Sequence, residues 1–274
     1  MHWRDGGIKL FEQEISSFRH PLIKQYIRLA GSRRYRHRAG KIALEGPNLV
    51  GEALRAGIIP EAVFYTHRYR EGLELLGLFT DIPGKVKRYL VTPQLFRRMA
   101  LTDSPQEVAA LVPIPPGLRK PVDGKARLGL LLDRLRDPGN LGTIIRTAVA
   151  VGAGVSYTPG TVDPYSPKVL RSTAGTVFHH PPVFLTQPLK WFEGLKKQGT
   201  QIITTDPGEN RCYWELDLRL PTVFIIGNES HGVAAELAAQ ADRRVSIPQP
   251  GWGNSLNAAI SAAILLYEAL RQRS

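Results

Sequence analysis

The 274-residue chain has one cysteine, Cys212. A lone thiol can form neither an intramolecular disulfide nor a cysteine metal cluster, which excludes a disulfide-stapled scaffold and a zinc ribbon. No stretch reaches the roughly 18–20 apolar residues that a membrane-spanning helix needs. The opening residues, MHWRDGGIKLFEQE, carry no apolar run of the signal-peptide kind. These shortages fit a protein of a reducing compartment, cytoplasmic in the simplest reading, with no membrane attachment. Acidic side chains are scarce too, and none lies between Ile15 and Leu44.

Common catalytic signatures are also missing. Where a dinucleotide fingerprint would stand, RDPGNLGTIIR has its glycines at the wrong spacing, and Gly152-Ala153-Gly154 comes too late. There is no G-K-[ST] phosphate loop, no His-Glu metalloprotease spacing and no G-x-S-x-G elbow. His179 and His180 are expected on opposite faces of a strand, where they could not share a metal. Nicotinamide, triphosphatase, zinc and serine-hydrolase chemistry lose ground, and no metal is called for.

What is present is positive charge: 36 Lys+Arg against 24 Asp+Glu, a formal +12. Such an excess favours a polyanion, nucleic acid above all. The acid-free stretch holds Arg33, Arg34, Arg36, Arg38 and Lys41, with Tyr35 and His37 interleaved. Cations on phosphates supply sequence-independent affinity, and aromatic faces stack on unpaired bases. A merely solvated helix face usually mixes charge signs, and this one does not, so RNA or DNA contact is the favoured reading.

The Pro-, Gly- and charge-rich residues 115–127 read as a linker between a smaller α/β domain, 1–114, and a second domain, 128–274. In the first, helices are expected over Leu22 to Arg34, Asn48 to Ala56 and Pro93 to Met99, with four strands between and after them. In the second, the apolar run Gly129 to Asp133 opens a regular alternation of strands and helices. That alternation implies a parallel sheet with helices on both faces. Ligands of such sheets lie beyond the carboxyl ends of the strands. Three polar or Gly-rich segments fall there: DRLRDPGN, IIGNESHGV and IPQPGWGNSLN.

In the first segment Asn140 is a candidate cap for a helix starting at Leu141. Arg146 then falls in the early turns of an apolar helix, against the macrodipole, so it must serve a surface or an anion. In the second, Glu229 stands just beyond a strand end. In the third, Asn254 or Ser255 could cap the last helix, which leaves Asn257 one turn inside a buried helix and in need of a partner.

The chain resembles the SpoU (TrmH-type) RNA ribose methyltransferases. The matching segments are DPGNLGTIIRTA (Asp137 to Ala148), VDPYSPKVLRSTAGTVF (Val162 to Phe178), FIIGNESHGV (Phe224 to Val233) and RRVSIPQPGWGNSLNAAISAAILLYEAL (Arg243 to Leu270). Residues before the linker more loosely resemble a substrate-recognition domain of members that act on large ribosomal RNA. The resemblance implies a SPOUT-type α/β fold with a deep trefoil knot, an L30e-like first domain and a homodimer. It also implies S-adenosylmethionine as donor and a ribose 2′-hydroxyl as acceptor, in ribosomal RNA more than tRNA. A base methyltransferase or a non-catalytic RNA-binding protein of the same fold is the alternative. Carried over, Gly227, Ile247 and Leu256 would hold the cofactor through their backbone, beside Asn228, Glu229, Pro248, Ser255, Asn257, Thr205 and Asp206. The catalytic set is Arg146, Asn140, Glu229, Ser255 and Asn257, with Arg146 also touching RNA. Trp252 would either shape the pocket or pack against its wall or a partner subunit.

Overall fold

The structure, a computed structural model, describes residues 12–69, 86–115, 128–252 and 255–274. Two compact units, each with its own sheet, account for them.

The first unit runs β1 (Glu12–Ile15), α1 (Pro21–Gly31), α2 (Arg33–Ala39), β2 (Lys41–Glu45), α3 (Pro47–Arg55), β3 (Ala62–Tyr65), β4 (Lys87–Val91), α4 (Pro93–Met99) and β5 (Val108–Pro113). Its sheet has the order β1-β4-β3-β5-β2, with β5 antiparallel to both neighbours. β1 reads EQEI, has no apolar run and was not expected; it is an edge strand parallel to β4. The single helix expected over Leu22 to Arg34 is two helices. Ser32 is extended between them, its N–H donating to Arg28 O and its hydroxyl accepting from Tyr35 N. One residue thus ends α1 and caps α2. The buried rings of Tyr26, Phe64 and Tyr89 form the centre of the core, with centroids 6.1 and 5.6 Å apart along the row.

From residue 128 on, the chain runs β6 (Leu128–Leu132), α5 (Pro138–Ala150), β7 (Gly154–Tyr157), α6 (Pro167–Ser172), β8 (Val183–Phe184), α7 (Pro188–Lys197), β9 (Gln201–Thr205), β10 (Thr222–Ile226), α8 (Ala235–Ala238), β11 (Arg243–Val245) and α9 (Ala258–Arg273); all of it is the second unit except Tyr165–Leu170, which groups with the first. The second unit's six described strands pair in parallel throughout, in the order β11-β9-β10-β6-β7-β8. The central strands β6 and β10 are buried throughout, as their apolar runs required. On one face Leu131, Val223 and Ile225 meet Phe192 and Leu195 of α7. α9 packs on β10 and, more extensively, on α5. His179 and His180 are not on a strand: both donate their N–H to Thr176 O at the end of a single 3-10 turn.

This topology fixes where a ligand can sit. From β6 the chain moves outward to β7, whereas from β10 it moves the other way to β11. The adjacent carboxyl ends of β6 and β10 are therefore a switch point, where diverging connections leave a crevice.

Candidate active site at the switch point

The loops leaving β6 and β10 are tied together by side chains. Asp133, at the end of β6 and 2 % exposed, accepts from the Thr158 hydroxyl at 2.9 Å and from Ala234 N at 2.9 Å. Asn228 donates through Nδ2 to Arg134 O at 2.8 Å, and its Oδ1 accepts from Ser230 N and His231 N. Asn228 and Gly232 exchange backbone hydrogen bonds, which closes a tight turn. That turn folds back on Gly227 so closely that a Cβ there would overlap the Gly232 carbonyl carbon and the Val233 nitrogen. Glycine is obligatory at 227 because backbone already fills the space a side chain would take.

A second chain of bonds joins all three sequence segments. Glu229 accepts from Asn140 Nδ2 at 3.0 Å and from Arg136 N and Asp137 N at 3.3 Å. Asn140 Oδ1 accepts from Asn257 Nδ2 at 2.8 Å, across 117 positions of sequence. Asn257 Oδ1 in turn accepts from Ala259 N and Ile260 N. Partial burial pushes the Glu229 carboxyl pKa up. Hydrogen bonds from Asn140 and from the backbone N–H groups of Glu229 itself, Arg136 and Asp137 outweigh that, and the net shift is downward. An ionised carboxylate only accepts, so it fixes the polarity of the whole chain. Asn140 must turn its amine to Glu229 and its oxygen to Asn257.

Three expectations change. Asn257 is not inside the last helix but is its N-cap. The cap proposed at Ser255 is thereby ruled out, and Asn254 lies outside the described residues. α5 begins at Pro138, capped by Asp137 Oδ1 on Asn140 N at 2.7 Å, so Asn140 is the third helical residue and not the cap. Arg146 is consequently the ninth of thirteen residues, past the middle of α5, and the macrodipole argument against it disappears. It is exposed.

These elements surround a cavity of about 420 Å³, within the range of small-molecule and cofactor sites. Of the expected cofactor residues, Thr205, Asp206, Gly227, Asn228, Glu229, Ile247, Ser255 and Leu256 line it; Pro248 and Asn257 do not. Asn140 and Arg146 lie outside its lining as well. Trp252 is fully exposed and off the cavity, which removes its pocket-shaping and wall-packing readings. Motif reasoning missed Ser261 and Gln249, which also line it, and Asp133, whose carboxylate braces it. Only the position of Asp133 at a strand end could have flagged it.

The basic stretch is less uniform than its sequence. Arg36 is buried, its Nη1 donating to Leu29 O at 2.7 Å and Ala30 O at 3.0 Å, so it closes the carboxyl end of α1 and cannot belong to an exposed cationic face. Lys41 is paired with Glu61 at 2.6 Å. Arg33, Arg34 and Arg38 are exposed, and the Arg38 guanidinium lies 5.5 Å from the centre of the Tyr35 ring.

Comparison with known proteins is decisive at this point. Residues 127–267 match the SpoU rRNA Methylase family, and residues 20–110 match the MRM3-like substrate binding domain. The chain belongs to the SpoU rRNA methylase family. It is 38 % identical to an uncharacterized tRNA/rRNA methyltransferase of Synechocystis, over 94 % of each chain. It is 32 % identical to the 23S rRNA (guanosine(2553)-2′-O)-methyltransferase RlmP of Bacillus subtilis, covering 93 % of this chain and 98 % of that one. The crystal structure of the SpoU methyltransferase AviRb from Streptomyces viridochromogenes, in complex with AdoMet, superposes with a TM-score of 0.83. That match has 31 % identity and covers 93 % of this chain and 98 % of the other.

Proposed function

We propose that the protein transfers a methyl group from S-adenosylmethionine to a ribose 2′-hydroxyl of large-subunit ribosomal RNA. The observation that carries this reading is the cavity itself: two carboxylates, Asp206 and Glu229, share its wall with apolar Ile226, Val233, Ile247 and Leu256. Such a lining suits a ligand with a cationic sulfonium and a flat apolar ring, and Gly227 leaves backbone at the wall for close approach. S-adenosylmethionine supplies an activated methyl carbon, so the protein has no need to activate the donor.

The protein's work is on the acceptor. A ribose hydroxyl is a poor nucleophile at neutral pH, and it must be held in line while negative charge develops on its oxygen. Arg146 stabilises that charge or the neighbouring phosphate through its fork of donors, and guanidinium does not act as a literal base. Asn140 and Asn257, facing each other, are positioning residues that fix Glu229 and the start of α9. They do not carry protons. Ser255, exposed on the cavity wall, orients the hydroxyl.

Residues 1–114 form the RNA-recognition domain, with Arg33, Arg34 and Arg38 on phosphates, and 128–274 the catalytic domain, joined by 115–127. The catalytic domain is knotted through its last segment and dimerises. Exposed Ile260, Tyr267 and Leu270 on α9 supply an apolar stripe for that contact. The setting is cytoplasmic; among the described residues no helix is long and apolar enough to cross a membrane. The test is transfer of labelled methyl to 23S rRNA followed by alkaline hydrolysis. A 2′-O-methyl blocks cleavage and leaves an alkali-resistant dinucleotide. Label in mononucleotides would mean base methylation, and absence of label a non-catalytic binder.

A further inference from the structure

We infer that Arg134, against the 228–232 turn, and His231, within it, form an RNA-contacting lip at the cavity mouth, Arg134 on a phosphate and His231 as a hydrogen-bond acceptor. The inference rests on the RNA-methylation reading and adds two contact residues to it.

Arg134 is a non-glycine residue with φ +53°, a conformation that costs of the order of 1 kcal/mol. Its backbone is held on both sides, with N donating to the Thr158 hydroxyl at 3.1 Å and O accepting from Asn228 Nδ2. Its side chain is held as well. Nε and Nη2 both lie 3.1 Å from Oδ2 of the buried Asp133 carboxylate, and Nη2 also reaches toward Gly232 O at 3.5 Å, which leaves Nη1 to turn outward. Yet the side chain is 41 % exposed. An exposed arginine is ordinarily a free, costly-to-order group, whereas this one is held in one orientation with donors left over. Backbone strain maintained by several surrounding bonds is a common mark of a functional position.

His231 repeats the arrangement within the turn. Asn228 gives its Nδ2 to Arg134 O, so the atom facing the ring is its oxygen, which already accepts two backbone N–H groups. The contact between His231 Nδ1 and that oxygen, 3.1 Å, therefore has the ring donating. In its neutral form His231 is thereby the Nδ1–H tautomer, and Nε2 is left as an acceptor on an exposed ring. A ligand contacting this lip gains a fixed donor fork and a fixed acceptor with little ordering cost. RNA offers a match for each: phosphate oxygens for the fork, and a 2′-hydroxyl or base amine for Nε2.

The test uses the full chain, an in-vitro 23S rRNA transcript and S-adenosylmethionine. Arg134→Gly keeps the left-handed turn and removes the fork; His231→Ala removes the acceptor. Each variant should weaken RNA binding about tenfold, with S-adenosylmethionine affinity within twofold of wild type. Arg134→Gly should also flatten the slope of log Kd against log salt by about 0.7–0.9, and His231→Ala should leave it unchanged. Nitrogen-15 chemical shifts should show the Nδ1–H tautomer. Unchanged RNA affinity in both variants, or a loss of cofactor affinity equal to the loss of RNA affinity, overturns the lip. Wild-type protein that binds the transcript without methylating it fails the proposed function alone, and the lip is still judged on Kd. Wild-type protein that does not bind the transcript overturns both.

Discussion

Replacing Asn257 by Asp separates the two tasks of that residue. As a cap, Asp is as good as Asn, and a carboxylate at a helix N-terminus gains about 0.3–1 kcal/mol from the macrodipole. The start of α9 should therefore hold. As a donor, Asp fails: Asn140 Oδ1, now 2.8 Å from Nδ2, would face a carboxylate oxygen. Asn140 could flip, but its carbonyl would then face Glu229 across the 3.0 Å contact its amine makes now. Either orientation loses one contact, worth roughly 1–2 kcal/mol at this exposed site. If the whole loss falls on the transition state, transfer drops about 5- to 30-fold. In the folded protein the macrodipole gain offsets only part of the lost contact, so the stability change runs from about zero to roughly 1.7 kcal/mol unfavourable and lowers Tm by at most about 3–7 °C. Rate and Tm measured on the same preparation decide it. Full activity in Asn257→Asp would show that the chain of amides is idle, and a collapse of Tm in parallel with rate would show that Asn257 serves the fold alone.

Further outcomes follow from the same geometry. Glu229 has a lowered pKa, so its ionised form stabilises the site above the ordinary carboxyl value of about 4.3 and that contribution is lost as pH falls through the lower folded value. Cofactor affinity measured by titration calorimetry should be flat above about pH 5 and fall below the ordinary value, and Glu229→Gln should abolish that acid limb. Gly227→Ala forces the 227–233 turn open and should weaken S-adenosylmethionine binding at least about tenfold, with a stability cost of about 1–3 kcal/mol. Arg36→Ala should cost about 1.5–3 kcal/mol of stability and leave the salt dependence of RNA binding unchanged. Arg34→Ala and Arg38→Ala should do the reverse, each flattening the salt slope by about 0.7.

The strands of the second unit were legible because burial on both faces leaves continuous apolar runs, as in Leu128–Leu132 and Thr222–Ile226. β1 was not, because an edge strand reading EQEI has no such run. The segments that carry the resemblance meet at one place, and most of the residues expected at the cofactor line one cavity. It could not assign each residue its task. The bond between Asn140 and Asn257 spans 117 positions, and no local pattern announces it. Asn257 looked interior because the apolar run hid where the helix begins, and capping is settled by backbone geometry. Arg36 was grouped with its neighbours by charge, whereas its burial depends on the break at Ser32, which turns α2 back so that one arginine meets the open carbonyls of α1. Charge is written in sequence; which charges face solvent is set by the turn.

The most direct test of the account is a map of ribose 2′-O-methylation in ribosomal RNA from cells lacking the gene, complemented with wild type or Arg146→Lys. Lysine keeps the charge of Arg146 and loses its fork. The account expects one large-subunit ribose to lose its methyl group in the deletion, to regain it with wild type and to stay largely unmethylated with Arg146→Lys. An unchanged map in the deletion, or full restoration by Arg146→Lys, would contradict it.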